Sequence, residues 1–219
     1  MHRSHSERMA WRTSTPTARW RVPIVLAVFA CSTPVGAVLV DKLVAIVNGE
    51  ILTLQGFEDH LALREMYQPG SDDLDRQQAF QRFVDQVLLR QEALRTRIVQ
   101  VDDAEVSEQI HALDQARERG KALARVMQER GLSQRDVRAW IRDQLLVRAF
   151  IDRRVRLFVR IPDNQIVQYY EDHQQTIGKP LDEAVRAQIR RLLTERQVNL
   201  RLTELLEELR RRGNLDFPP

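Results

Sequence analysis

In residues 38–47 the apolar positions Val38, Val40, Leu43, Ala45 and Val47 recur at the spacing of a strand. Asn48-Gly49 supplies a turn, because both residues tolerate positive φ, and Glu50-Ile51-Leu52 returns as a short strand. Thr53 sits where a helix N-cap belongs, since its hydroxyl can accept from a backbone N–H that would otherwise have no partner. Leu54, Phe57 and Leu61 follow at helical spacing. The pattern therefore predicts strand, turn, strand, helix from residue 38. Almost everything after it is helical, so this small β element needs a partner elsewhere in the chain.

The first helix runs from Thr53 to Tyr67, and Gln68-Pro69-Gly70-Ser71 ends it. A second starts near Asp72 or Asp73, whose charges suit its positive end. It buries Phe80, Phe83, Val84, Val87, Leu88 and Leu94 along one stripe. After the extended link Ile98-Val99-Gln100-Val101, Asp102-Asp103 open a third helix with Val106, Ile110 and Leu113 inward. The stretch Arg117–Lys121 is polar, with Gly120 its weak point, and helix resumes at Ala122 and stops at Gly131. Ser133 to Asp136 resembles a capping box at the head of a helix carrying Val137, Trp140, Ile141, Leu145, Ala149 and Phe150. Val155–Ile161 alternates apolar and basic residues, which suits an exposed strand or a helix end passing into one. Pro162-Asp163 caps a short helix with Ile166, Tyr169 and Tyr170. Gly178-Lys179-Pro180 breaks the chain, and Leu181–Arg212 reads as one helix of about 45 Å at about 1.5 Å per residue. Gly213-Asn214 stops it, and Leu215-Asp216-Phe217 is a candidate last strand to pair with Val38–Val47.

Composition agrees with a mainly α fold of five or six helices. The 219 residues are 43% apolar, enough for a core, while aromatics are only 6%. The charge balance needs a correction for the first 37 residues, which carry the pattern of an export signal. His2, Arg3, Arg8, Arg12, Arg19 and Arg21 form a basic head, with Met9 a second candidate start. Residues 22–30 form an apolar stretch, and Val35-Gly36-Ala37 fits cleavage after Ala37. The apolar run is shorter than the roughly 20 residues of a membrane span. An uncleaved amphiphilic anchor is the alternative. Of 34 basic and 31 acidic side chains, five Arg and one Glu lie in this segment, so the remainder carries a net charge of −1. A persistent basic face, which a nucleic-acid partner would require, is therefore missing. Cys31, the one cysteine, also falls inside the segment, leaving no thiol chemistry after cleavage. Acylation of Cys31 as a lipoprotein is an alternative, opposed by Phe29 where a small residue is expected.

Several segments resemble one family. Residues 40–61, VDKLVAIVNGEILTLQGFEDHL, are similar to the opening of the SurA-type periplasmic chaperones, "VDKVVAVVN-turn-ITxSDL". RFVDQVLLRQEA (82–93) resembles their "LLDQLIxxxLLxQEA", and the Gly-Leu-Ser turn at 131–133 resembles the one before their long basic helix. FVRIPDNQIVQYYEDH (158–173) resembles their "VTVSDEEIxxYYEEH" linker. In that family a parvulin prolyl-isomerase domain follows the linker, and a long C-terminal helix then folds back on the N-terminal region. Here only the seven residues Gln174–Pro180 separate linker from helix, and neither a "HIL" strand nor a "GGDLGW" loop occurs. The resemblance thus implies a multi-helix SurA-like chaperone core with a small β element from the two chain ends. It implies a signal over 1–37, a helical chaperone domain over 38–177, and a helix and strand over 178–219 packing back on it. The implied function is ATP-independent holdase binding of unfolded exported polypeptides, outer-membrane proteins above all, in the periplasm. No stable membrane insertion after signal cleavage, no cofactor and no catalysis are expected. The alternatives are an isomerase-related protein and an envelope adaptor with one fixed partner.

The residues themselves offer little chemistry. His60, His111 and His173 lack metal-binding spacing and read as surface positions. Glu105, Glu108 and His111 read as a solvated helix face, and Ser133 as a cap rather than a nucleophile. Arg153-Arg154, Arg190-Arg191 and Arg210-Arg211-Arg212 read as solvated charge. The one surplus is apolar: Met66, Tyr67, Trp140, Phe150, Phe158, Tyr169 and Tyr170 exceed what a small helical core buries, and are the candidate client-binding residues.

Overall fold

The computed structural model describes residues 42–70 and 75–217. The expected signal over 1–37, the first residues of the expected strand, and Asp72 and Asp73 lie outside them. Strands β1 (Leu43–Val47) and β2 (Glu50–Thr53) form a hairpin, followed by α1 (Leu54–Tyr67), α2 (Arg76–Thr96), α3 (Asp103–Gln115) and α4 (Arg117–Arg130). Then come α5 (Gln134–Arg154), a single 3₁₀ turn at Arg156–Phe158, α6 (Asp163–Ile177), α7 (Glu183–Arg212) and β3 (Leu215–Asp216). The fold is mainly α, with a small antiparallel sheet of order β2-β1-β3.

The hairpin forms because Asn48 (φ 51°) and Gly49 (φ 86°) both take positive φ, which pairs Val47 with Glu50 and Ile46 with Ile51. Thr53 ends β2 and caps α1 at once, its hydroxyl accepting from the Gly56 N–H at 3.1 Å. The expected capping box is present: Ser133 Oγ accepts from the Asp136 N–H, and Asp136 accepts in return from the Ser133 N–H at 2.8 Å.

The apolar side chains gather in three clusters. Ala45, Val47 and Leu52 of the sheet pack with Val84, Val87 and Leu88 of α2, Val147 and Phe150 of α5, and Leu209 of α7. Leu63 and Met66 of α1 meet Val106, Leu113, Leu123, Val137 and Ile141 from α3, α4 and α5. A small third cluster, Ile166 with Val185 and Ile189, holds α6 against the first half of α7.

The chain ends meet as expected. β3 pairs antiparallel with β1, Leu215 opposite Val47 and Asp216 opposite Ile46. Asn48 reinforces the junction. Its N–H donates to the Asn214 carbonyl and its Oδ1 accepts from the Asn214 N–H, both at 2.8 Å. Arg210 reaches Asp85 of α2 with two donors at 2.9 and 2.7 Å, and Arg212 reaches Glu92 at 2.7 Å. Half-buried Arg210 and exposed Arg212 are thus both paired to acids of α2, not the solvated charge that sequence clustering suggested.

Other expectations need correction. Val155–Ile161 joins no strand ladder. Val155 is buried at the end of α5, the chain makes a 3₁₀ turn, and the residues after it run extended to Pro162. Leu157 and Phe158, adjacent in sequence, are both exposed, which is not the alternation of a strand with one buried face. α2 is capped by Asp75, whose carboxylate accepts from the Gln78 N–H at 2.8 Å, so its described start is Arg76 rather than Asp72 or Asp73. Leu94 is 57% exposed and off the buried stripe. The third helix breaks at Ala116 (ψ 85°), not within Arg117–Lys121, and Gly120 lies inside α4. That glycine permits the close corner: a Cβ there would lie 3.1 Å from the Asp114 carbonyl oxygen. The break raises the count to seven α-helices among the described residues.

Candidate functional site

Two kinds of surface stand out, exposed apolar side chains and open clefts. Leu157 and Phe158 on the 3₁₀ turn are each 60% exposed, and Leu200 on α7 is 53% exposed. Arg201, next to Leu200, donates to the Phe158 carbonyl at 3.1 Å and so brings this part of α7 to the turn. Arg154, Phe158, Arg201 and Leu205 line a shallow cleft of about 590 Å³ there.

A second cleft, about 600 Å³, opens between α2, α5 and α7. Leu145, Val147 and Ile151 supply its apolar wall, and Tyr67, Gln68, Gln86 and Gln144 its polar one. Arg156 also lines it, donating to Glu195 at 2.6 and 3.1 Å and to Asp152 at 2.9 Å. The Arg156 guanidinium holds the Glu195 carboxyl below its usual range. A third cleft, about 290 Å³, lies over β2, α1, α2 and α5. It shares Gln86 and Gln144 with the second and adds His60, Phe83, Trp140 and Asp143. Burial pushes the Asp143 carboxyl up, against the opposing pull of Arg90 at 3.3 Å. Arg90 also pairs with Glu50, fastening β2 to α2.

Among the described residues that line these clefts there is no serine, threonine, cysteine or lysine. Among the described residues, no group of three or more His, Cys, Asp or Glu could hold a metal ion, and no helix is long and apolar enough to cross a membrane. The clefts present amides, aromatic edges and aliphatic carbon together with charged side chains, among them Arg148 and Asp152 in the second and Arg154 and Glu208 in the first.

The family model for the SurA-like N-terminal domain matches residues 13–151, more than half of the chain. The chain belongs to that family. No curated protein matches it. Membership points to a chaperone-like role. Within this SurA-like chain the match ends at Ile151, so α6, α7 and β3 lie beyond it, although Glu195 of α7 helps to line the second cleft.

The candidate client-binding residues fall in different places. Met66 (6% exposed) and Phe150 (0%) are interior. Tyr67 and Trp140 are half-buried and stand together, ring centroids 5.6 Å apart. Phe158 is at the surface, remote in sequence from that pair. Tyr169 and Tyr170 serve the α6–α7 hairpin. Tyr169 stacks on His173 at 4.0 Å, with the Arg196 guanidinium 5.2 Å from its ring, and the Tyr170 hydroxyl donates to the Lys179 carbonyl at 2.9 Å.

His60 corrects another expectation: it is buried at 7% exposure, and its Nδ1 accepts from Trp140 Nε1 at 3.2 Å. Its place on α1 with Phe57, Leu63 and Met66, at helical i, i+3 steps, is the signal that would have revealed it. Leu157 and Leu200 were not among the candidates, which were drawn from aromatic residues and methionine only, although Leu157 lies in the segment read as an exposed strand. Gln86 and Gln144 carry no sequence signal, since glutamine on a helix reads as solvent-facing.

Proposed function

We propose that this SurA-like chain is an ATP-independent holdase for unfolded exported polypeptides, with outer-membrane proteins the principal clients, working in the periplasm after export by its N-terminal segment. The observation that carries the reading is the family match. The exposed apolar group Leu157, Phe158 and Leu200 and the open clefts support it, because such surface suits weak binding of varied apolar segments. Tyr67 and Trp140, half-buried in adjoining clefts, and Phe158 are the aromatic contacts we assign to clients. Met66 and Phe150 act through the core that holds those positions. No step of chemistry is assigned to any residue.

The test is aggregation of a urea-unfolded outer-membrane protein on dilution, followed by light scattering with the purified protein present and without nucleotide. Suppression at near-stoichiometric ratios is expected. No suppression, or binding to one folded partner only, refutes the proposal. A prolyl-isomerase assay on the same preparation should show no rate above the uncatalysed one.

A further inference from the structure

We propose that the cleft between α2, α5 and α7 holds an extended polypeptide by its main chain, with an acidic side chain of that segment on Arg148. The proposal rests on the holdase reading and specifies where and how a client binds.

Gln86 carries the first part. Its Nε2 is buried yet has no hydrogen-bond acceptor among the described residues. A buried donor without an acceptor is unfavourable, so the site favours a ligand that brings one. Gln144 and Gln68 stand in the same cleft. A glutamine amide offers the donor and acceptor complement of a peptide unit, so a row of them matches a main chain whatever its side chains. Sequence-tolerant binding of this kind is what a holdase needs. The aliphatic wall of Leu145, Val147 and Ile151 gives alternate side chains of an extended segment somewhere to lie. The volume, about 600 Å³, is within the range of ligand clefts.

Charge carries the second part. The cleft has two arginines, and they differ. Arg156 is fully engaged by Asp152 and Glu195. Arg148, exposed at the rim, has no acidic partner among the described residues. One unpaired cation beside an apolar wall favours a segment that carries an acidic residue near an apolar one.

The test uses a fluorescein-labelled unstructured dodecapeptide of alternating apolar and polar residues with one central Asp, and its counterpart with Lys there. Fluorescence anisotropy reads binding to the purified protein. The wild type should prefer the Asp peptide, and Arg148→Glu should reverse that preference. Gln86→Leu should weaken both peptides alike, by about fivefold, the scale of one lost neutral hydrogen bond, while its urea midpoint stays at or above the wild-type value. If Gln86→Leu does not fold, Gln144→Leu takes its place with the same expectation. Unchanged affinity and preference in the variants, with wild-type aggregation suppression intact, overturns this inference and leaves the holdase reading standing. A wild type that neither binds peptide nor suppresses aggregation overturns both.

Discussion

Leu209 offers the sharpest test of how the chain closes. It lies near the end of α7, is 4% exposed, and packs into the cluster built by the sheet, α2 and α5. Truncation to Ala removes its transfer contribution and leaves a hole. Fully enclosed Leu→Ala changes cost about 2–5 kcal/mol, the spread reflecting how far the surroundings collapse. Here the setting argues for the lower half. Leu209 also lines an open cleft of about 630 Å³ with Asn48, Leu88 and Glu92, so solvent can enter the vacated volume from one side. The expected loss is about 2–3 kcal/mol. Leu200→Ala on the same helix is the control, because Leu200 is 53% exposed and its truncation should stay within about 0.5 kcal/mol. Urea unfolding followed by far-ultraviolet circular dichroism reads both, as a midpoint shift at constant slope. If Leu209→Ala matches its control, α7 does not seal the first cluster, and the closure described above is wrong.

Arg210→Met removes the cation opposite Asp85 and should destabilise by about 1–2 kcal/mol near neutrality, less than the 3–5 typical of fully buried pairs because Arg210 stays 39% accessible. Burial, acting against Arg210, already holds the Asp85 carboxyl above its ordinary range. With the folded value above the unfolded one, its stabilising contribution is present in acid and lost as pH rises through the folded value, so the variant's deficit should shrink on acidification. A deficit that grows in acid would contradict that. Glu92 runs the other way: hydrogen bonds from Arg95 lead in lowering it, so its contribution is present above its unfolded value and lost as pH falls, and Glu92→Gln should flatten the acid limb of the stability curve. Gly120→Ala gains up to about 1 kcal/mol of helix propensity. Its Cβ, however, would meet the Asp114 carbonyl oxygen at 3.1 Å and Cα at 3.3 Å, neither of which can swing aside, so thermal unfolding should show net destabilisation. Phe158→Ser should leave the unfolding free energy in urea within about 0.5 kcal/mol of the wild type, since the ring is 60% exposed, while weakening aggregation suppression.

Local chemistry explains why most elements could be read in advance. The Asn48-Gly49 turn, the Thr53 cap, the Ser133–Asp136 box and the helix stops at Gly131 and Gly178 each rest on local backbone geometry or a partner within one helical turn, and each does in the structure what its type implies. The pairing of the two terminal strands was legible too, because a lone hairpin in a helical chain needs another strand and Leu215–Phe217 was one of two candidates, the other being Val155–Ile161, which joins no ladder. What failed depends on partners far away in sequence. The α3–α4 corner falls at Ala116, ahead of the glycine, because Gly120 is needed for close approach to Asp114 rather than as a stop. Arg210 and Arg212 are separated from Asp85 and Glu92 by more than a hundred residues, and no window along the chain could pair them.

The same reasoning separates holding from gripping in the candidate site. Aromatic surplus is visible in composition, but composition cannot say which rings the core needs. Phe150 turned inward to fill the space between the sheet and α5, and Tyr169 and Tyr170 went to the hairpin, where the third cluster has only Ile166, Val185 and Ile189 fully enclosed. Rings spent on the interior leave Phe158 and Phe217 exposed and Tyr67 and Trp140 half-buried, and such apolar surface supplies adhesion without direction. Direction must then come from polar groups, and the buried Gln86 amide without an acceptor is the group whose geometry asks for one. If the cleft gripped by apolar contact alone, a leucine at this position would be the more stable choice. The Gln86→Leu variant therefore distinguishes a cleft built for main chain from one that merely tolerates it.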